Sequence, residues 1–184
     1  MIELVYETHS LTLDNERGHA TGWLPGELSP HGRELARELG ERRRDDGIAA
    51  VFASDLGRAV ETVEIAFAGS SIPIHQDARL RECDYGELNG ALVAEVEAIR
   101  ADCIERPFPG GESYMDVVSR TRDFLDDLVR EHDGRRVLVV SHGANRLALD
   151  HLLEGKPLAR LVEEQFDWRP GWEYRLDERP ATIL

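Results

Sequence analysis

Apolar positions along this chain fall into short runs separated by stretches with a helical period. Residues 2–7 carry Ile2, Leu4, Val5 and Tyr6 and read as a strand. A glycine-containing loop follows and ends at Ser29, which reads as an N-cap with Pro30 in the first helical position. The helix after it gathers Leu35, Ala36 and Leu39 on one face. Residues 49–53 form an apolar strand, and residues 57–67 place Val60, Val63 and Phe67 at helical spacing. A short strand is expected at 72–75 and a helix over 92–104. Ser113 then caps a longer helix whose inward stripe is Val117, Thr121, Phe124, Leu125 and Leu128. Residues 136–140 read as a fully buried strand, followed by a helix presenting Leu147, Leu149, Leu152 and Leu153. In the tail, segments 161–167 and 172–176 flank Arg169-Pro170-Gly171, a turn signal that predicts a terminal hairpin. Strands alternating with helices, with near-continuous apolar strand cores, predict an α/β fold: a mostly parallel central sheet covered on both faces, with an antiparallel edge strand near the C-terminus.

Composition narrows the classes. The 184 residues suffice for one domain spanning 1–184, with 41% hydrophobic and 32% charged residues. No apolar run approaches the roughly 20 residues needed to cross a bilayer, and the start has no signal-peptide core, so a cytoplasmic setting is expected. The two cysteines, Cys83 and Cys103, are expected as free thiols; no CxxC is present, and neither a metal nor a cofactor is expected. A formal net charge of −14 argues against nucleic-acid and membrane-surface partners. Lys156 is the single lysine among 22 basic residues, so the abundance of arginine says nothing about phosphate by itself.

The candidate chemistry lies at strand ends. Three apolar strands run straight into polar groups: Thr8-His9-Ser10, Ser54-Asp55-Leu56-Gly57-Arg58 and Ser141-His142-Gly143. Open α/β sheets bind ligands outside the carboxyl ends of their strands. A neutral imidazole can attack phosphorus, a guanidinium fork matches phosphate oxygens, and a carboxylic acid can protonate the leaving oxygen. His9, Arg58, His142 and Glu82 supply those groups. Each alone also has a bland reading: a loop histidine, a solvated arginine, a surface-paired glutamate.

These segments resemble the histidine phosphatase (phosphoglycerate mutase-like) superfamily. His9, Thr12 and Asn15 fall on its opening motif Arg-His-Gly-Glu-Thr-x-x-Asn. Thr21-Gly22-Trp23 with Leu28-Ser29 is similar to the segment after it. Ser54 to Thr62 follows Ser-x-x-x-Arg-Ala-x-x-Thr. Leu80-Arg81-Glu82, Gly110-Gly111-Glu112-Ser113 and Ser141-His142-Gly143 with Arg146 complete six motifs in order, over about residues 3–150. The resemblance implies a phosphoglycerate mutase-like three-layer α/β/α sandwich. It also implies His9 as phosphorylated nucleophile, Glu82 as proton donor, and Arg58 and His142 as catalytic phosphate ligands. Thr8, Ser10, Asn15, Thr21, Gly22 and Gly143 would line the phosphate or substrate site.

The opening motif is degenerate. Thr8 stands where the family has arginine, Ser10 where it has glycine, and His19 where mutase-type relatives carry a further arginine. Losing one preorganised donor typically costs about 10²–10³ in rate. Arg17 or Arg81 is a candidate substitute, and Glu7 is expected to bring negative charge beside the site. Ser10 is expected to constrain the backbone near phosphate. Trp23, Tyr85, Phe108 and Tyr114 are the candidates for setting substrate choice. The expected function is a phosphomonoester hydrolase acting on a small phosphorylated metabolite, as a monomer or homodimer. The alternative is a non-catalytic phospholigand-binding or regulatory protein. A mutase ranks below both, because the segment from Glu82 to Pro109 is short for the lid that a mutase needs.

Overall fold

The computed structural model describes residues 1–176. Five strands form one sheet in the order β3-β2-β4-β1-β5: β1 (Ile2–Thr8), β2 (Ala50–Ala53), β3 (Ile74–Gln76), β4 (Arg136–Ser141) and β5 (Trp172–Leu176). Neighbouring strands are parallel except β5, which runs antiparallel to β1 with Ile2 opposite Leu176 and Tyr6 opposite Trp172. The helices are α1 (Leu13–Arg17), α2 (Pro30–Arg43), α3 (Gly57–Ala66), α4 (Val93–Ile99), α5 (Tyr114–Glu131), α6 (Gly143–Glu154) and α7 (Leu158–Leu161).

The two-residue period of each strand sorts side chains between the faces. On one face, Leu4, Tyr6, Val137 and Val139 pack with Val117, Phe124 and Leu125 of α5 and Leu149 of α6. On the other, Val5, Leu138 and Val140 pack with Leu39 of α2 and Val63 of α3. The result is the expected three-layer sandwich, and the antiparallel edge strand is present.

Helix starts follow their caps. Ser29 Oγ accepts from Gly32 N–H at 3.0 Å at the start of α2. Ser113 and Asp116 form a capping box at the start of α5. Two expectations fail locally. The helix anticipated over 92–104 is α4 followed by a 3₁₀ turn, Arg100–Cys103. The terminal hairpin does not form: residues 161–167 finish α7 and then run without regular structure. After the buried Leu161 and Val162, residues 163–167 are exposed and have no two-residue apolar period. In contrast, Trp172, Tyr174 and Leu176 are buried and alternate with exposed Glu173 and Arg175, and the free edge of β1 takes them.

Candidate active site

The carboxyl ends of β1 and β4 lie side by side, because Thr8 pairs with Ser141 and the His9 N–H donates to the Ser141 carbonyl at 2.8 Å. This register puts the His9 and His142 rings 5.0 Å apart, centroid to centroid. His9 Nδ1 lies 2.7 Å from the Ser10 carbonyl. A carbonyl only accepts, so Nδ1 carries the proton and Nε2 keeps its lone pair. Burial and the neighbouring Arg58 push the His9 pKa down to about 3, which holds the ring neutral. Arg58 Nε donates to His9 Nε2 at 3.3 Å.

Arg58 projects from the first turn of α3 and is 2% exposed. Its Nη2 donates to the Gly22 carbonyl at 2.8 Å and its Nη1 to the Leu24 carbonyl at 3.4 Å, so the fork is fixed before any ligand arrives. Gly22 has φ of +55°, and a Cβ there would sit 1.8 Å from Asn89 Oδ1, so only glycine presents this carbonyl. Thr62, one helical turn after Arg58, donates to the Arg58 carbonyl and accepts from Ser10 N–H at 3.0 Å. That threonine thereby ties the loop of His9 to the helix of Arg58.

His142 is fully buried, yet neither ring nitrogen has a hydrogen-bond partner among the described residues. Buried polar atoms are normally paired, so two unpaired nitrogens on a ring centred 5.0 Å from that of His9 mark a place for a polar ligand, although His142 itself is not among the residues lining the cavity at His9. Burial, with Arg58 and His9 nearby, holds its pKa well below the usual value. Glu82 uses Oε1 to accept from Cys83 N–H (2.8 Å) and Ala144 N–H (3.1 Å), leaving Oε2 free to carry a proton. Burial raises its pKa above the usual carboxylate value, against the opposing pull of those N–H groups and Arg58.

Thr8, Ser10, Asn15, Thr21, Gly22 and Gly143 all line the same cavity, of about 670 Å³, as His9, Arg58 and Glu82 do. Several are also committed elsewhere. Asn15 caps α1: its Oδ1 accepts from Thr12 N–H (3.1 Å) while Thr12 Oγ1 accepts from Asn15 N–H (3.0 Å). Thr21 donates to Asp14 Oδ2 at 2.8 Å. Ser10 carries no strain, since no residue other than glycine has positive φ among the described residues.

Neither candidate substitute for the missing arginine stands beside His9. Arg81 is held by both oxygens of Asp55 (2.7 and 2.6 Å) and stacks 4.7 Å over Trp23; Arg17 is exposed at the end of α1. His19 turns Nδ1 to the Gly90 carbonyl at 2.9 Å. Glu7 does border the cavity, but Arg43 (2.9 Å) and Arg42 (3.4 Å) offset its charge. Of the four aromatic candidates for substrate choice, Tyr85 and Tyr114 line the cavity. Trp23 instead spends its indole N–H on the Glu82 carbonyl (2.7 Å), and Phe108 packs between the rings of Tyr85 and Tyr114. Arg120 went unnoticed in the sequence. From α5 it donates to the carbonyls of Glu82 (2.9 Å) and Arg79 (2.6 Å), and it pairs with Glu112. Arginines are so frequent here that nothing local marks this one.

Comparison with known proteins agrees with this architecture. The family model described as the histidine phosphatase superfamily (branch 1) matches residues 8–168. A protein of Erwinia tasmaniensis named "Probable phosphoglycerate mutase GpmB" is 34% identical, with 94% of this chain and 90% of that protein covered. Bacillus stearothermophilus YhfR superposes with a TM-score of 0.85 at 29% identity, covering 97% of this chain and 93% of that one. A mycobacterial glucosyl-3-phosphoglycerate phosphatase, solved with VO3, gives 0.76 at 30% identity, covering 87% and 85%. The chain therefore belongs to the histidine phosphatase superfamily, branch 1.

Proposed function

We propose that this protein is a phosphomonoester hydrolase working through a phosphohistidine on His9 Nε2. The observation that carries the reading is the tautomer of His9: Nδ1 is spent on the Ser10 carbonyl, so the lone pair sits on Nε2, beside the Arg58 guanidinium. Nε2 attacks phosphorus, the ester P–O bond breaks, and Glu82 gives its proton to the departing oxygen. Water then loses a proton to the Glu82 carboxylate and attacks the phosphohistidine. The P–N bond breaks, phosphate leaves, and neutral His9 and protonated Glu82 are restored. Arg58 and His142 stabilise the phosphoryl oxygens throughout, a task that is mostly positioning and charge. The scheme uses no metal or cofactor. Thr8, Ser10, Asn15, Thr21, Gly22 and Gly143 form the wall around the bound ester.

Thr8 favours a second reading, a non-catalytic phospholigand-binding protein, since the arginine expected at that position is absent. Hydrolysis of a generic aryl phosphate separates the two. The hydrolase reading expects wild type to release phosphate on the order of 10⁴-fold or more faster than His9→Ala. Equal rates for the two proteins refute it. A mutase ranks third. The two buried free thiols, Cys83 and Cys103, support a reducing cytoplasmic setting.

A further inference from the structure

The cavity that begins at His9 extends well past the space a phosphoryl group needs. Its 670 Å³ is within the roughly 300–1,000 Å³ of typical small-molecule sites. Away from the phosphate end its walls are apolar: Leu11, Leu35 of α2, Val93 of α4, Leu147 of α6, and Phe166 and Trp168 from the segment between α7 and β5. Phe166 and Trp168 are about half exposed, at 51% and 49%, although each has the apolar area of a core residue.

Each arginine in this part of the cavity has a carboxylate nearby, although Arg42 shares Glu7 with Arg43 and Arg146 shares Asp150 with Lys156. Besides Arg58, three arginines line it. Arg42 lies 3.4 Å from Glu7, Arg100 is 3.7 Å from Glu97, and Arg146 is 2.7 Å from Asp150. Of the two further imidazoles of the wall, His19 faces the Gly90 carbonyl, and His31 is exposed with Glu34 3.6 Å away. A second anionic group, such as a carboxylate or a further phosphate, would compete with these carboxylates for the arginine N–H groups. An uncharged apolar group would leave the pairs undisturbed and would cover the exposed aromatic rings.

We infer that the substrate class is a monophosphate ester of an uncharged, predominantly apolar alcohol, aryl or long-chain alkyl, with its organic part between α2, α4 and the Phe166–Trp168 segment. The placement of the phosphoryl group at Arg58 and His142 rests on the hydrolase reading above.

Alkylphosphonates, which cannot be hydrolysed, test the inference separately from catalysis. Calorimetric titration of the full chain with methyl-, butyl- and octylphosphonate, each competed with inorganic phosphate, should show affinity rising about threefold to fourfold per buried methylene. Trp168→Ala, a change at a half-exposed position, should weaken octylphosphonate about tenfold more than methylphosphonate. Equal affinity across the series, octylphosphonate that phosphate does not displace, or 3-phosphoglycerate binding as tightly as octylphosphonate would each overturn the inference. In parallel, butyl, octyl and glycerol phosphates are assayed for phosphate release against His9→Ala. A persistent chain-length trend without any release would sink the hydrolase reading and leave the apolar site standing. Release from glycerol phosphate as fast as from octyl phosphate, with a flat phosphonate series, would do the reverse.

Discussion

At the end of β1, His9 is held on both sides of its ring, by the Ser10 carbonyl at Nδ1 and by the Arg58 Nε–H at Nε2. At the end of the adjacent β4, His142 has no partner at either ring nitrogen among the described residues. Both histidines follow an apolar strand and precede a small residue, so the local sequence treats them alike. The fold does not. One ring is fixed in a single tautomer, with the lone pair on Nε2 accepting from the Arg58 Nε–H, a bond that must be released before Nε2 can attack. The other keeps its hydrogen-bonding capacity for whatever enters. The difference lies in what each ring meets: a carbonyl one residue away for His9, and no hydrogen-bond partner among the described residues for His142, although Arg58 and His9 stand nearby.

Substitutions that exchange or erase these roles test the contrast. The largest effect is expected for His9→Ala, which removes the atom proposed to be phosphorylated. No acid-labile phosphoprotein should accumulate after brief exposure to labelled substrate, and turnover should fall on the order of 10⁴-fold or more. His142→Asn should still allow some phosphoryl transfer to His9 but lower kcat/KM by about 10²–10³, measured on the same substrate. A loss as complete as that of His9→Ala would mean that the two rings are not distinct in duty. Next, Thr8→Arg restores a guanidinium at the end of β1, and phosphate should bind about tenfold tighter by calorimetry, with faster turnover. Unchanged affinity would show that the present pocket already meets the charge of phosphate.

The smallest effect concerns stability. The folded-state pKa of His9 is lowered to about 3 from an ordinary 6.5. Below about pH 6.5 the unfolded chain therefore binds a proton that the folded chain refuses, and stability falls as pH falls. Between pH 7 and pH 5 this imidazole alone should cost about 1–2 kcal/mol in urea unfolding. His9→Asn should flatten that slope by the same amount. An unaltered slope would show that His9 is not the group responsible.

The four central side chains were legible because each lies within a recognisable motif: His9 and His142 directly follow strands, Arg58 is in the first turn of α3, and Glu82 follows the 3₁₀ turn Ala78–Leu80. What escaped was decided across long separations or by competition between local bonds. Asn15 could serve phosphate or its own backbone. The Thr12–Asn15 spacing fits a capping box, which in the structure takes the amide oxygen. Glu7 reads as a misplaced charge in a strand until α2 brings Arg42 and Arg43 against it, 35 and 36 residues away in sequence. Arg120 holds the Glu82 carbonyl from 38 residues away. The helix expected over 92–104 tightens into a 3₁₀ turn at Arg100. That residue also reaches the Glu164 carbonyl at 3.2 Å, a tertiary bond that periodicity does not encode.

That bond is one of two moorings of the segment carrying Phe166 and Trp168. The other is β5, whose Trp172 pairs with Tyr6 directly after Gly171, where a Cβ would collide with Arg43 Nη2 at 2.3 Å. Between its moorings the strap touches the cavity but carries no strand of the sheet. Doubling the length of such a loop costs only about 0.6 kcal/mol in closure entropy. The outer wall is thus the cheapest part of the molecule to rewrite. Insertions or deletions between Glu164 and Gly171 can reshape what the cavity admits while His9, Arg58, Glu82 and His142 stay in register, so selectivity can diverge faster than chemistry.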